Sequence, residues 1–171
     1  MKSIFSILFM TFISISIHAQ SQVELLLNDA KEFNEAFLKG DFEKYIDMTI
    51  PSVIEVAGGK DVMVTNAKAS YDMTTKSGLA YESISPLKPS KFMFAGRELQ
   101  SILPQTIITK IGKTKISQKV YFLASSSDEG KTWTFLNLEP YDTASIKTFV
   151  PSYTGDIEIP AADQPELIGD N

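Results

Sequence analysis

The spacing of apolar residues in this chain changes near residue 80, and that change constrains the fold more than any other feature of the sequence. Before this point apolar residues recur every three or four positions, as in amphipathic helices, and after it they alternate with polar residues, as in strands. Helices followed by antiparallel strands predict an α+β domain in which a curved sheet wraps around N-terminal helices.

The helical part of the pattern has clear boundaries. A long amphipathic helix ends at Gly40, and Asp41 is placed to N-cap a short second helix that ends before Pro51. A third helix is predicted over residues 61–75, and a short one over 144–150.

The predicted strands share a run of alternating or continuous apolar residues. We expect the long strand to bend at Pro104, because proline removes one hydrogen-bond donor from a sheet. The last three strands predict an antiparallel meander. The strands cover residues 53–56, 81–84, 91–95, 98–111, 115–125 and 132–138.

Residues 1–19 have the layout of a secretory signal peptide. Lys2 precedes an uncharged apolar run, 4–17, and the small residue Ala19 follows it. A run of about fourteen residues is shorter than the roughly 20 that a membrane-spanning helix needs, so a membrane anchor is the weaker alternative. We therefore expect cleavage after Ala19 and a secreted or periplasmic product that does not insert into a membrane. No cysteine follows the run, which excludes a lipid anchor at that point.

Cleavage after Ala19 would leave 152 residues, enough for one domain, with 15 basic and 21 acidic residues and a net charge of −6. An acidic chain without a basic cluster is a poor nucleic-acid binder, so no nucleic-acid partner is expected. The chain has no cysteine, and its only histidine, His18, would leave with the signal peptide. This composition excludes Ser-His-Asp and Cys-His catalysis and the usual zinc ligands, and we expect no cofactor and no metal.

The segment 33–45, Phe-Asn-Glu-Ala-Phe-Leu-Lys-Gly-Asp-Phe-Glu-Lys-Tyr, joins a long helix to a short one through Gly-Asp. With the short strand, the Gly-Gly break, the third helix and the meander, it resembles the nuclear transport factor two-like superfamily, which includes ketosteroid isomerases and polyketide cyclases. The likeness extends over residues 22–138. It implies a cone-shaped α+β domain over residues 20–140, after the signal peptide at 1–19 and before a partly ordered C-terminal extension at 141–171.

The resemblance leaves the function open, because members of that superfamily either catalyse reactions or only bind ligands. We expect a non-catalytic exported domain that binds a small molecule or a protein partner through its pocket or its outer sheet face. The alternative is an isomerase- or cyclase-type enzyme with Glu55 as general base and Tyr45 as hydroxyl donor. Asp47 is the other nearby acid, and the other available tyrosines are Tyr71, Tyr81 and Tyr121. Glu55 is equally compatible with a solvent-facing position. A homodimer is a third possibility, because open sheets of this superfamily often pair.

Residues 126–133, Ser-Ser-Asp-Glu-Gly-Lys-Thr-Trp, match the Asp-box pattern Ser-x-Asp-x-Gly-x-Thr-Trp. Asp128 is expected to accept backbone N–H groups across a turn, Gly130 to adopt positive φ, and Trp133 to pack beneath the turn. The motif is best known from sialidase-like propellers, where it repeats. A single copy in a chain this short predicts a stabilised hairpin and not glycoside hydrolysis. A calcium site at Asp128 and Glu129 is the alternative.

Overall fold

A computed structural model describes residues 2–139, 141–161 and 163–169, with side chains from Ser21 onward. The first helix runs through residues 2–20 without a break, and the side chains of the predicted signal peptide lie outside the described part. The elements are α1 (Lys2–Lys39), α2 (Phe42–Asp47), α3 (Pro51–Val56), α4 (Lys60–Lys76), β1 (Leu79–Pro86), β2 (Met93–Ala95), β3 (Glu98–Ile111), β4 (Thr114–Ser126), β5 (Thr134–Asn137), α5 (Thr143–Phe149) and β6 (Glu166–Ile168).

The strands form one strongly curled antiparallel sheet, so the predicted α+β class with helices first is confirmed. Its two central strands, β3 and β4, pair from Leu99–Ser126 to Ile111–Thr114 without a register shift. Strands β1 and β2 share the free side of β3, and β5 and β6 share the free side of β4. Each outer position of the sheet is therefore filled by two short strands in succession.

Pro104 lies inside β3 without removing a bond to β4. Its carbonyl oxygen accepts the N–H of Leu87 at 2.9 Å, on the side of β3 where β1 ends at Pro86. Because the nitrogen and oxygen of one strand residue point to the same side, the missing donor faces the end of β1.

One face of the sheet, called here the inner face, packs against α1. Leu26, Ala30 and Phe33 recur at helical spacing along α1 and are buried against the sheet. Their partners alternate along the strands, as side chains on one face of a sheet must, and are Leu99, Leu103, Val120, Phe122, Ala124, Trp133 and Phe135.

The outer face of the sheet is covered by α3, α5 and the chain that follows α5. Val53 from α3 and Ile146 from α5 are buried with Ile102 and Leu123 of the sheet. Tyr153 and Ile157, beyond α5, belong to the same cluster. The C-terminal extension thus contributes to the core, and it also supplies β6, a strand that the sequence pattern did not predict.

The strand predicted for residues 53–56 is wrong, because these residues form helix α3. Instead of a strand over 53–56, the chain joins the sheet through a parallel bridge between Thr49 and Phe135. Pro51 then occupies the first turn of helix α3. The apolar run Val53-Ile54-Glu55-Val56 is too short to distinguish the two periods. By contrast, Asp41 caps α2 as expected, since its side chain accepts the N–H of Lys44 at 3.2 Å.

Candidate ligand-binding cavity

A cavity of about 360 Å³ lies between the inner face of the sheet and helices α1, α2 and α4. Six of the residues that line it are aromatic, and they come from α1, α2, α4, β1 and β4. The aromatic residues are Phe33, Phe37, Tyr45, Tyr71, Tyr81 and Phe122. Cavities of this size lined by apolar side chains with a few polar groups are typical of small-molecule sites.

The aromatic rings form a continuous wall around Phe37. Its ring centroid lies 5.3 Å from that of Tyr45, 5.4 Å from Tyr71 and 5.0 Å from Tyr81. Tyr71 and Tyr81 stack with centroids 5.7 Å apart, and Tyr45 stacks on Phe33 at 4.4 Å. These offset and edge contacts fix the rings with respect to one another, so the wall is preformed.

Every residue that lines the cavity is uncharged at neutral pH. Besides the tyrosines, the polar groups are the amides of Asn34 and Asn137 and the hydroxyls of Ser70 and Thr74. An ionised ligand would lose its hydration shell here without gaining a countercharge, which is costly. The lining therefore favours a neutral, largely apolar molecule.

The hydroxyl of Tyr45 is one of the polar groups of the cavity. Burial, with a smaller contribution from the neighbouring Tyr81, raises the pKa of Tyr45 to about 12. Its hydroxyl stays protonated at physiological pH and can donate a hydrogen bond to a ligand. Among the hydrogen bonds of the described residues, none uses the side-chain hydroxyl of Tyr45, Tyr71 or Tyr81.

Two buried amides meet at the wall between α1 and β3. Asn34 lines the cavity, and its Nδ2 donates to Oε1 of Gln105, a residue with no exposed surface. The Nε2 group of Gln105 is buried and has no hydrogen-bond partner among the residues that the structure describes. Buried polar groups are almost always paired, so an unpaired donor beside a cavity needs an explanation.

The structure does not bring Glu55 and Tyr45 together. Glu55 is exposed at the end of α3 and lines a separate polar cleft with Glu98, whereas Tyr45 lines the aromatic cavity. Asp47 is exposed too and forms an ion pair with Lys60 at 2.7 Å. None of the three acids lines the aromatic cavity.

The polar cleft is held by a network centred on Glu98. Its Oε2 accepts hydrogen bonds from the hydroxyls of Ser125 and Ser152, both at 2.7 Å, and from Nε2 of Gln100 at 3.2 Å. Ser152 belongs to the C-terminal extension, so the network ties that segment to β3 and β4.

The turn between β4 and β5 is organised by Asp128. Its carboxylate accepts the backbone N–H groups of Lys131 and Thr132 and the hydroxyls of Ser126 and Thr132, at 2.7 to 3.1 Å. Partial burial on its own would raise the pKa of Asp128, but these hydrogen bonds outweigh it and lower the pKa to about 2. Gly130 has φ of +88°.

The same turn is tied to α1. The buried Trp133 donates its ring N–H to the carbonyl of Gly130 at 3.2 Å and its backbone N–H to Asp29 at 2.9 Å. Gln22 donates to the carbonyl of Glu129 at 2.9 Å. Asp128 and its neighbours thus hold a hairpin against the first helix, away from the residues that line the aromatic cavity.

In the part of the chain whose side chains are described, no His, Cys, Asp and Glu residues are grouped so that three could hold a metal ion. At Asp128, the site proposed for calcium as the alternative, the carboxylate oxygens already accept four hydrogen bonds. The helices in that part are also too short or too polar to cross a membrane.

Of the cavity residues, the sequence indicated only Tyr45, Tyr71 and Tyr81, as possible hydroxyl donors. The others come from six helices and strands far apart in the chain, and each reads on its own as an ordinary core residue. The one available signal was the concentration of Phe and Tyr on α1 and α2, at positions 33, 37, 42 and 45.

Comparison of the chain with protein-family models, with curated proteins and with solved structures found no match. The chemistry of the cavity is therefore the basis on which a function can be proposed.

Proposed function

We propose that this protein is a non-catalytic binding domain that holds a small, uncharged, mainly apolar molecule in the cavity between α4 and the inner face of the sheet. The observation that carries the proposal is the composition of the lining, which is uncharged throughout and has six aromatic rings. Burial of apolar ligand surface against such rings provides the affinity, and the few amide and hydroxyl groups orient the ligand.

The cavity is favoured over the outer sheet face as the binding surface. Side chains of the outer face, such as Ile102, Leu123 and Leu136, are at most 6% exposed because α3, α5 and the C-terminal extension cover them. A protein partner or a second copy of the chain would have to displace this cover, whereas a small molecule needs only the existing cavity.

A binding role is favoured over the isomerase or cyclase role. Proton abstraction requires a base within hydrogen-bond reach of the substrate. The carboxylates of Asp47, Glu55 and Glu98 lie outside the aromatic cavity. Tyr45, with a pKa of about 12, is a hydrogen-bond donor and a very weak base at neutral pH.

We further propose that the fold belongs to the nuclear transport factor two-like type and that the domain acts after export. N-terminal helices packed on a strongly curled antiparallel sheet, with a cavity between them, are compatible with that cone-shaped fold. The charged residue, apolar run and small residue of positions 1–19 support export to the periplasm or the medium.

The proposed binding role of the cavity can be tested by filling the cavity with a larger side chain on α4. Ala67 lines the cavity and Ala69, on the same helix, is exposed and does not, so Ala67→Phe and Ala69→Phe form a matched pair. The probes are 2-acetylnaphthalene, which is neutral, and 2-naphthoate, which is ionised, with affinity measured by isothermal titration calorimetry.

We expect 2-acetylnaphthalene to bind the unsubstituted protein and the Ala69→Phe variant equally, and to bind Ala67→Phe at least about tenfold more weakly, a loss of about 1.4 kcal/mol. 2-Naphthoate should bind far more weakly than the ketone, because its carboxylate would be desolvated without a countercharge. Equal binding of the ketone by Ala67→Phe and Ala69→Phe would show that the cavity is not the binding site.

A further inference from the structure

We propose that the paired amides of Asn34 and Gln105 recognise a carbonyl oxygen of the ligand, so that the natural ligand is an apolar, uncharged carbonyl compound. This inference rests on the proposed function and specifies its ligand. The observation behind it is the buried, unpartnered Nε2 group of Gln105 next to a residue that lines the cavity.

Gln105 lies next to the cavity on β3, although it is not itself one of the residues that line it. It lies on the inner face between Leu103 and Ile107, and Ile107 itself lines the cavity. On the opposite side, Asn34 of α1 contacts the same amide and also lines the cavity. The free N–H therefore lies behind a wall to which both of its neighbours contribute.

The donor is present whichever way the two amides are oriented. As assigned, Asn34 donates to Gln105 and the Nε2 group of Gln105 is free. If both amides were reversed, Gln105 would donate to Asn34, and the Nδ2 group of Asn34 would be free at the cavity. The free N–H is thus buried directly behind the cavity wall in the first orientation, and it belongs to Asn34 at the cavity itself in the second.

A carbonyl oxygen fits this donor and the rest of the cavity. It accepts a hydrogen bond, carries no charge and brings no donor of its own that would need a further partner. A carboxylate would also accept, but the uncharged lining disfavours it. A binding site with a buried donor discriminates against ligands that leave this donor unpaired.

The test compares two ligands of nearly the same shape, a ketone and an alkene. The ketone is 2-acetylnaphthalene, and the alkene is 2-isopropenylnaphthalene, in which a C=CH₂ group replaces the C=O group of the ketone. The quantity measured by calorimetry is the selectivity, the Kd of the alkene divided by the Kd of the ketone. We expect Gln105→Met, which keeps the volume and removes the amide, to reduce this selectivity about fivefold.

Gln100→Met is the matched control. Gln100 is also fully buried on β3 with an unpartnered amide atom, Oε1, but it lies at an even position, on the outer face with Ile102. Its replacement should leave the selectivity unchanged. If Gln105→Met does not fold, the side-chain amide proton signals of Asn34 and Gln105 in the unsubstituted protein provide the same test. At least one of them should move downfield with the ketone and not with the alkene.

Equal selectivity in the unsubstituted protein and Gln105→Met, or amide signals that respond identically to both compounds, would overturn the inference and leave the proposed function standing. Binding of neither compound to the unsubstituted protein would instead contradict the proposed function. A selectivity that falls in Gln105→Met and not in Gln100→Met supports both the proposed function and the recognition of a carbonyl oxygen.

Discussion

Removal of the negative charge of Asp128 should destabilise the turn between β4 and β5, because its carboxylate accepts four hydrogen bonds there. In Asp128→Asn the side chain keeps an acceptor oxygen for the N–H groups of Lys131 and Thr132, but it loses the negative charge that strengthens these bonds. It also replaces Oδ2, the acceptor for the Thr132 hydroxyl, with an amide nitrogen.

The size of the effect follows from the lowered pKa. A fall from 3.8 to about 2 corresponds to at most about 2.4 kcal/mol of stabilisation of the charged form in the folded state. Because Asp128 is partly exposed, solvent screening reduces this, and we expect Asp128→Asn to lower the free energy of unfolding by about 1 kcal/mol at pH 7.

The stabilisation that the Asp128 carboxylate provides depends on pH. The folded-state pKa is depressed, so the stabilisation is complete above the unfolded-state pKa, near 3.8, and is lost as the pH falls through about 2. Urea unfolding of both proteins from pH 7 down to pH 2 should therefore show a stability difference that is constant above pH 5 and shrinks below pH 4.

Glu129→Gln is the control, since it removes one negative charge from the same turn at an exposed side chain. It should change stability little at any pH. Equal stability of Asp128→Asn and the unsubstituted protein at pH 7, or a difference in stability that persists at pH 2, would contradict the stabilising role of the Asp128 charge.

Two further predictions concern the same turn and the N-terminus. A Cβ atom at Gly130 would lie 3.0 Å from Cγ of Gln22, whereas Gly112, also at positive φ, has no atom within 4 Å of such a position. Gly112→Ala should therefore cost about 1 kcal/mol of stability from backbone strain alone and Gly130→Ala about 2 kcal/mol, and equal losses in thermal unfolding would show that the contact with Gln22 is unimportant. For export, the intact mass of the protein recovered outside the cytoplasm should correspond to a chain that begins at Gln20, and a recovered product that retains residues 1–19 would contradict the predicted cleavage.

The parts of the fold that could be predicted are those with long, periodic sequence signals. The helix around Leu26, Ala30 and Phe33 and the strands β3 and β4 span three or more repeats of their period, so one pattern is clearly favoured. The cap at Asp41 was predictable because capping depends on residues close in sequence.

The errors and omissions have an equally physical origin. Residues 53–56 contain too few apolar positions to separate helix from strand, and their conformation depends on the bridge between Thr49 and Phe135, which are far apart in sequence. The pairing of Asn34 with Gln105 joins residues 71 positions apart, and each amide alone is compatible with an exposed site. The cavity arises only when several such distant segments are packed together.

A crystal structure of the protein with 2-acetylnaphthalene would show directly whether the aromatic cavity binds a neutral carbonyl compound. We expect the compound to lie between α4 and the inner face of the sheet, in contact with Phe37 and Tyr45. Its carbonyl oxygen should be within hydrogen-bond distance of the Asn34 and Gln105 amides. A structure in which the compound occupies another surface, while side chains fill the space between α4 and the sheet, would contradict this expectation.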